Sequence, residues 1–93
     1  MMPFDWDLGK AAANEIKHGV SFREAATVFG DPLAIFLPDE EHSIREQRLI
    51  IIGVSVRNRL MVVSHVERGS MIRIISARLP TNQERKSYEE DKR

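Results

Sequence analysis

Between residues 21 and 30 the apolar side chains Phe22, Ala25, Ala26 and Phe29 fall three and four apart, the spacing of one helix face. Between residues 33 and 78 the apolar residues instead alternate with polar ones or run together, as in strands. After Pro80 the chain turns polar. Local signals set the bounds. Phe4, Asp5 and Trp6 form a short extended start. Asp7 is a suitable N-cap for a helix to about His18, with Ala11, Ala12 and Ala13 favouring it and Gly19 placed to end it. Ser21 and Glu24 have the spacing of a capping box, flanked by Val20 and Ala25 as a hydrophobic staple, and the second helix stops at Gly30-Asp31-Pro32. Strands are expected at 33–37, 46–54, 59–66 and 71–78. Turns fall at 39–43, at Arg57-Asn58 and at 67–70, where Gly69 supplies a positive φ. Thr81 and Glu84 form a second capping box, opening a last helix to about Glu90 whose only large anchor is Tyr88.

The order is β-α-α-β-β-β-β-α. Consecutive strands with short turns predict an antiparallel sheet, and the helices at both ends are expected to pack on one face: an α+β two-layer sandwich. The 93 residues make a single domain, with the last few residues expected to fray.

The clearest strand, residues 71–78, carries the sharpest question. Strict alternation puts Ile72, Ile74, Ser76 and Arg78 on one face and Met71, Arg73, Ile75 and Ala77 on the other. Arg73 then sits mid-strand among apolar neighbours. Placing a guanidinium beside buried surface costs several kcal/mol unless it is paired or wet. Either a carboxylate answers it or it opens onto an anion site.

Composition narrows the chemistry. There is no cysteine, hence no disulfide and no thiolate chemistry, and no apolar run of about 18 residues that would cross a membrane. The start lacks the features of a secretory signal, so the cytoplasm is the expected location. Net charge is zero, which argues against non-specific nucleic-acid binding. The distribution is uneven, however. Acids cluster at Asp39-Glu40-Glu41 and Glu89-Glu90-Asp91, while residues 45–78 hold seven Arg against two Glu. Folded together, that region presents a basic face.

His18, His42 and His65 have no paired spacing, so no metal site or other cofactor is expected. Neither a nucleophile elbow nor a phosphate-cradling glycine loop occurs. What remains is Glu46 and Arg48 with Arg73 and Arg78, all on expected strands. One reading is a cross-strand ion-pair network with no further role. The other is a phosphodiester site. Cleaving RNA without a metal needs a base for the 2′-hydroxyl, an acid for the leaving 5′-oxygen and fixed cations for the phosphorane, and Arg suits the last task. Glu46 or a histidine would be the base. Lys17 and His18 either complement a helix C-terminus or join such a site, and Tyr88 is either a core anchor or a substrate contact.

In their order and spacing these residues resemble the BrnT toxins of BrnT/BrnA type II toxin–antitoxin systems. The resemblance runs from Phe4 to about Tyr88. It rests on Trp6-Asp7, Lys10, Asn14, the run from Lys17 to Phe22, Glu24-Ala25, Val28-Phe29, Asp31-Pro32, Asp39 and His42-Ser43. Glu46, Arg48, the run from Ile52 to Ser55, Arg59, the run from Ile72 to Arg78, Glu84 and Tyr88 complete it. The Val63-Ser64-His65-Val66 segment and the Arg57-Asn58-Arg59 turn depart from the family pattern.

The resemblance implies a RelE-like ribonuclease fold and a cytoplasmic toxin that cleaves RNA and blocks translation. It also implies a BrnA-like ribbon-helix-helix antitoxin, a heterotetrameric complex, and contact with operator DNA only through that antitoxin. The expected catalytic residues are Glu46, Arg48, Arg73, Arg78 and His18, with Lys17, Arg59 and Tyr88 binding substrate. The alternative is a non-enzymatic module of the same fold that binds the antitoxin without cutting RNA. A stand-alone DNA-binding domain fits worst, because the basic residues lie mainly on strands.

Overall fold

The computed structural model describes residues 3–43 and 45–91. Met1, Met2, Ile44, Lys92 and Arg93 lie outside the described residues; of the expected fraying over Asp91, Lys92 and Arg93, the last two lie there, while Asp91 is the last residue of the final helix. The elements follow the expected order: β1 (Phe4–Asp5), α1 (Leu8–His18), α2 (Phe22–Thr27), β2 (Ile35–Pro38), β3 (Leu49–Val54), β4 (Leu60–Arg68), β5 (Met71–Arg78) and α3 (Asn82–Asp91). Short 3-10 turns at Val28–Gly30 and Glu40–His42 extend α2 and link β2 to β3.

The helix-starting signals act as chemistry requires. Asp7 accepts a hydrogen bond from the Lys10 N–H at 2.9 Å, and Gly19 ends α1 at a φ of 68°. Ser21 Oγ accepts from the Glu24 N–H, but the Glu24 side chain does not reach back to close the box. It turns to Arg59 and Ser55 instead. Thr81 and Glu84 do form the reciprocal pair: Glu84 Oε1 accepts from the Thr81 N–H at 2.8 Å, and Thr81 Oγ1 accepts from the Glu84 N–H at 3.2 Å.

The sheet has the order β1-β5-β4-β3-β2. Strands β2 to β5 are antiparallel as predicted, and β1 adds a short parallel pair to β5, making the whole sheet mixed. On one face Ile51, Met61, Val63, Ile74 and Ala77 bury against Val20, Phe22, Ala25 and Val28 of the α1–α2 layer. On the other, Ile52, Leu60 and Val62 bury against Tyr88 of α3. The helices at the two ends of the chain therefore cover opposite faces, not one. The reason is the sheet's second apolar stripe, which needs a cover, and Tyr88 supplies it. Burying about 150 Å² of its ring at roughly 25 cal/mol per Å² contributes on the order of 4 kcal/mol.

Strict alternation also fails in β5. Ser64 pairs with Ser76 and His65 with Ile74, so Ile75 is an extra residue with no partner on β4. This bulge resets the phase. Ile72, Ile74 and Ala77 face the α1–α2 layer, while Arg73, Ile75, Ser76 and Arg78 gather on the α3 face. Expected to point oppositely, Arg73 and Arg78 share a side.

Two residues fit the α1–α2 layer to the sheet, one by its side chain and one by lacking any. Asn14 is buried; its Nδ2 donates to the Val20 and Ala77 carbonyls and its Oδ1 accepts from the Ala77 N–H. It thereby satisfies β5 backbone beyond the end of β1. Gly53 lies beneath the Val28–Gly30 turn, where a Cβ would sit 2.9 Å from Val28 Cγ1 and 3.0 Å from Ala34 Cβ.

Candidate active site

A cleft of about 460 Å³ opens on the α3 face of the sheet. Its floor is one cross-strand row, Ile50 on β3 opposite Ser64 on β4 opposite Ser76 on β5, with the bulged Ile75 beside it. Tyr88 covers the neighbouring row of Ile52 and Val62. Where the row changes to two small serines, nothing fills the space, and a hollow results. Ser64 Oγ lies buried there without a partner among the described residues.

The rim comes from two directions. The connection from β2 to β3 is folded back on itself: the Asp39 N–H donates to the Arg48 carbonyl at 2.9 Å, and the Arg48 N–H donates to Ser43 Oγ at 2.9 Å. Ser43 Oγ in turn donates to the Asp39 carbonyl at 2.6 Å. This clasp brings Asp39, His42 and Arg48 to one side of the cleft. His42 Nδ1 lies 3.1 Å from both Asp39 carboxylate oxygens. With Nδ1 donating, Nε2 is the basic nitrogen of an imidazole that is 59% exposed on a carboxylate only 12% exposed. Arg48 makes no ion pair among the described residues.

β5 and α3 supply the other side. Arg78 Nη1 and Nη2 donate to Glu84 Oε1 and Oε2 at 2.7 and 2.9 Å. The Arg78 hydrogen bond, resisted by burial and helped by the Thr81 N–H, lowers the Glu84 carboxyl to about 2. The cleft thus joins an imidazole held by a carboxylate to two guanidinium groups, Arg48 without an ion pair among the described residues and Arg78 paired with Glu84, and Glu41 also lines it; an imidazole can move a proton and a guanidinium can bind a phosphate.

The expected site residues divide. Arg48 and Arg78 line the cleft. Glu46 precedes β3, which begins at Leu49 and not at residue 46, and it borders an adjoining hollow with Arg45, His42 and Arg48. Its carboxylate accepts from Arg68 at 2.7 and 2.9 Å, and that hydrogen bond chiefly lowers its pKa. Arg73 pairs with Asp5 at 3.0 Å. Lys17 and His18 end α1, in the layer on the opposite face. Arg59 donates to Glu24 at 2.6 and 3.0 Å and to the Gly19 carbonyl, tying the β3–β4 turn to α2. The Tyr88 hydroxyl donates to Asp31 at 2.6 Å while its ring fills the α3 interface; burial first, then Asp31, raises it to about 12.

Sequence reasoning left out His42, Asp39 and Glu84 as site residues. The Asp-x-x-His spacing on a short turn was the available signal, and it is weak without the clasp that turns it toward Arg48. His65, the departure from the family pattern, is fully buried on the other face, edge-on to Phe29 with ring centroids 4.8 Å apart. It fills a core position. Among the described residues, no three His, Asp or Glu side chains converge to hold a metal ion, and no helix is long and apolar enough to cross a membrane.

The fold is similar to the crystal structure of the Brucella abortus ribonuclease toxin BrnT, with a TM-score of 0.68 and 25% sequence identity over 88% of this chain and all of that one. No curated protein sequence matches the chain. The family model for the ribonuclease toxin BrnT of type II toxin–antitoxin systems matches residues 6–84, including every cleft residue named above, and the chain belongs to that family.

Proposed function

We propose that this chain is a metal-independent endoribonuclease toxin that cuts RNA in the cleft between Arg48 and Arg78. The observation that carries this reading is the Asp39–His42 pair sharing one cleft with two guanidinium groups. His42 Nε2 takes the proton from a 2′-hydroxyl. The 2′-oxygen attacks phosphorus, the bond to the 5′-oxygen breaks, and that oxygen takes a proton from solvent, to which His42 returns the one it accepted. The products are a 2′,3′-cyclic phosphate and a 5′-hydroxyl. Arg48 and Arg78 stabilise the charge on the phosphorane. Glu46, held by Arg68, and His18, on the other face, are left outside this chemistry; Arg73 lies on the cleft's side of the sheet, paired with Asp5.

Membership of a type II family implies an antitoxin partner. We infer that it is a BrnA-like ribbon-helix-helix protein, that it covers this sheet face in a heterotetramer, and that operator DNA is met only through it. The toxin would act in the cytoplasm, arresting growth by blocking translation.

Purified protein incubated with RNA and EDTA tests the reading. The expected result is cleavage leaving 2′,3′-cyclic phosphate ends, lost in His42→Ala and Arg48→Ala. A folded wild type that leaves RNA intact would make the chain an antitoxin-binding module. Cleavage that EDTA abolishes would overturn the proposed chemistry.

A further inference from the structure

The Arg78–Glu84 contact has a directional geometry. A guanidinium has five N–H donors in a rigid plane. In Arg78 the end-on pair, one hydrogen each from Nη1 and Nη2, goes to the two Glu84 oxygens. Nη1 also donates to the Leu79 carbonyl at 3.3 Å. The Nε–H and the second Nη2–H, which together form the side-on edge, have no partner among the described residues. That edge is a second two-pronged grip of the kind that takes two phosphate oxygens at once. Arg78 itself lines the cleft beside Ser76 and Ile75.

We propose that Glu84 is a positioning residue for the cleavage reaction: it holds Arg78 end-on so that the free side-on edge is presented to the scissile phosphate. This rests on the cleft being the cleavage site. The placement of Glu84 is over-determined, as a positioning group requires. Its backbone and its side chain are both tied to Thr81 through the capping box, at the first turn of α3. α3 is in turn seated by the Tyr88 ring on Ile52, Leu60 and Val62, and by the Tyr88 hydroxyl on Asp31. A guanidinium on a flexible stem, held this way, loses little further freedom when the phosphate arrives, and a small misplacement at such a site lowers the rate steeply.

A purely structural role makes a different prediction, because the capping box separates the two functions. Glutamine serves a capping box as well as glutamate does. Glu84→Gln therefore keeps the α3 start and can still accept one hydrogen bond from Arg78, but loses the charged, two-pronged grip. Thr81→Ala does the reverse: it weakens the cap and leaves the Glu84–Arg78 pair in place.

The test is steady-state cleavage of a fluorophore-quencher RNA oligonucleotide, with melting temperatures, for wild type, Glu84→Gln, Thr81→Ala and Arg78→Lys. In Glu84→Gln, kcat is expected to fall on the order of 10- to 100-fold with KM within about twofold and little loss of melting temperature. Thr81→Ala, in which the Thr81 N–H still donates to Glu84, is expected to melt earlier and to lose much less kcat than Glu84→Gln. Arg78→Lys, which keeps a charge facing Glu84 but has no second edge, is expected to lose kcat as fully as Arg78→Ala. Wild-type kcat in Glu84→Gln would reduce Glu84 to a cap. A gain in activity there would make it a competitor of the phosphate. Either result overturns the proposal while leaving the cleft as the cleavage site. An inactive wild type would instead overturn the cleavage reading, and the positioning role with it.

Discussion

The Arg73 guanidinium lies 3.0 Å from the Asp5 carboxylate, joining β5 to the short strand that runs parallel to it. The mid-strand cation is thus answered within the chain, and Asp5 is placed opposite it by the register that pairs Asp5 with Arg73. Neither side chain is fully buried, so solvent screens the pair. Arg73→Ala is expected to cost about 1 kcal/mol in urea unfolding. RNA cleavage should fall much less than in Arg78→Ala. Equal losses in the two variants would place Arg73 in the chemistry.

Arg59 and Glu24 form a drier pair. The Glu24 side chain is 5% exposed and also accepts from Ser55 Oγ at 2.7 Å. Arg59→Ala leaves that carboxylate buried with the Ser55 hydroxyl and the more distant Arg57, and should cost about 2–3 kcal/mol. Chemical denaturation measures the loss, and cleavage by the remaining folded protein should be unchanged. The Arg59 hydrogen bond chiefly lowers the Glu24 carboxyl from its ordinary 4.5, against burial. Its stabilising contribution is therefore complete above that value and is lost as pH falls through the lower, folded-state value.

His65 gives the opposite kind of titration. Burial lowers its pKa from 6.5, outweighing the weak Val63 carbonyl contact and the charge of Glu67. The unfolded chain then binds a proton that the folded one refuses, so stability rises with pH through that range. Below about pH 6.5 each unit of acidification should cost up to roughly 1.4 kcal/mol until the folded-state value is reached. His65→Leu should remove this slope, and it should be near-neutral in stability at pH 8 because Nε2 has no partner to lose. Melting temperature against pH for the two proteins checks both statements; an unchanged slope would mean that another group titrates.

Gly53→Ala tests the seating of the Val28–Gly30 turn. The added methyl would press on Val28 and Ala34, and overpacking of this kind costs typically about 1–3 kcal/mol. A melting temperature equal to wild type would show that the turn can withdraw.

Local order was legible because it depends on neighbours in sequence. Asp7, Ser21 and Thr81 cap helices as their side chains predict, Gly19 and Gly69 take positive φ, and the strand order along the chain follows from runs of apolar residues. The family resemblance was legible for the same reason: it is an ordered list of residues. The candidate cleft was only half legible. Arg48 and Arg78 stood out as cations on a hydrophobic background, but Glu46, Arg59 and Tyr88 are equally polar-on-apolar and turn out to be held in ion pairs or packing.

What the sequence determined alone is the set of elements, their order and the supply of cations to the sheet, since capping, turn chemistry and periodicity act over a few residues. Tertiary structure decided which cations meet. The unpaired Ile75 moves Ser76 and Arg78 to the face that holds Arg73, Tyr88 carries Glu84 onto that same face, and the Ser43 clasp folds Asp39 and His42 toward Arg48. Each depends on the pairing of distant segments. A one-residue change in strand phase reverses every side chain after it, and no local pattern records where that change occurs.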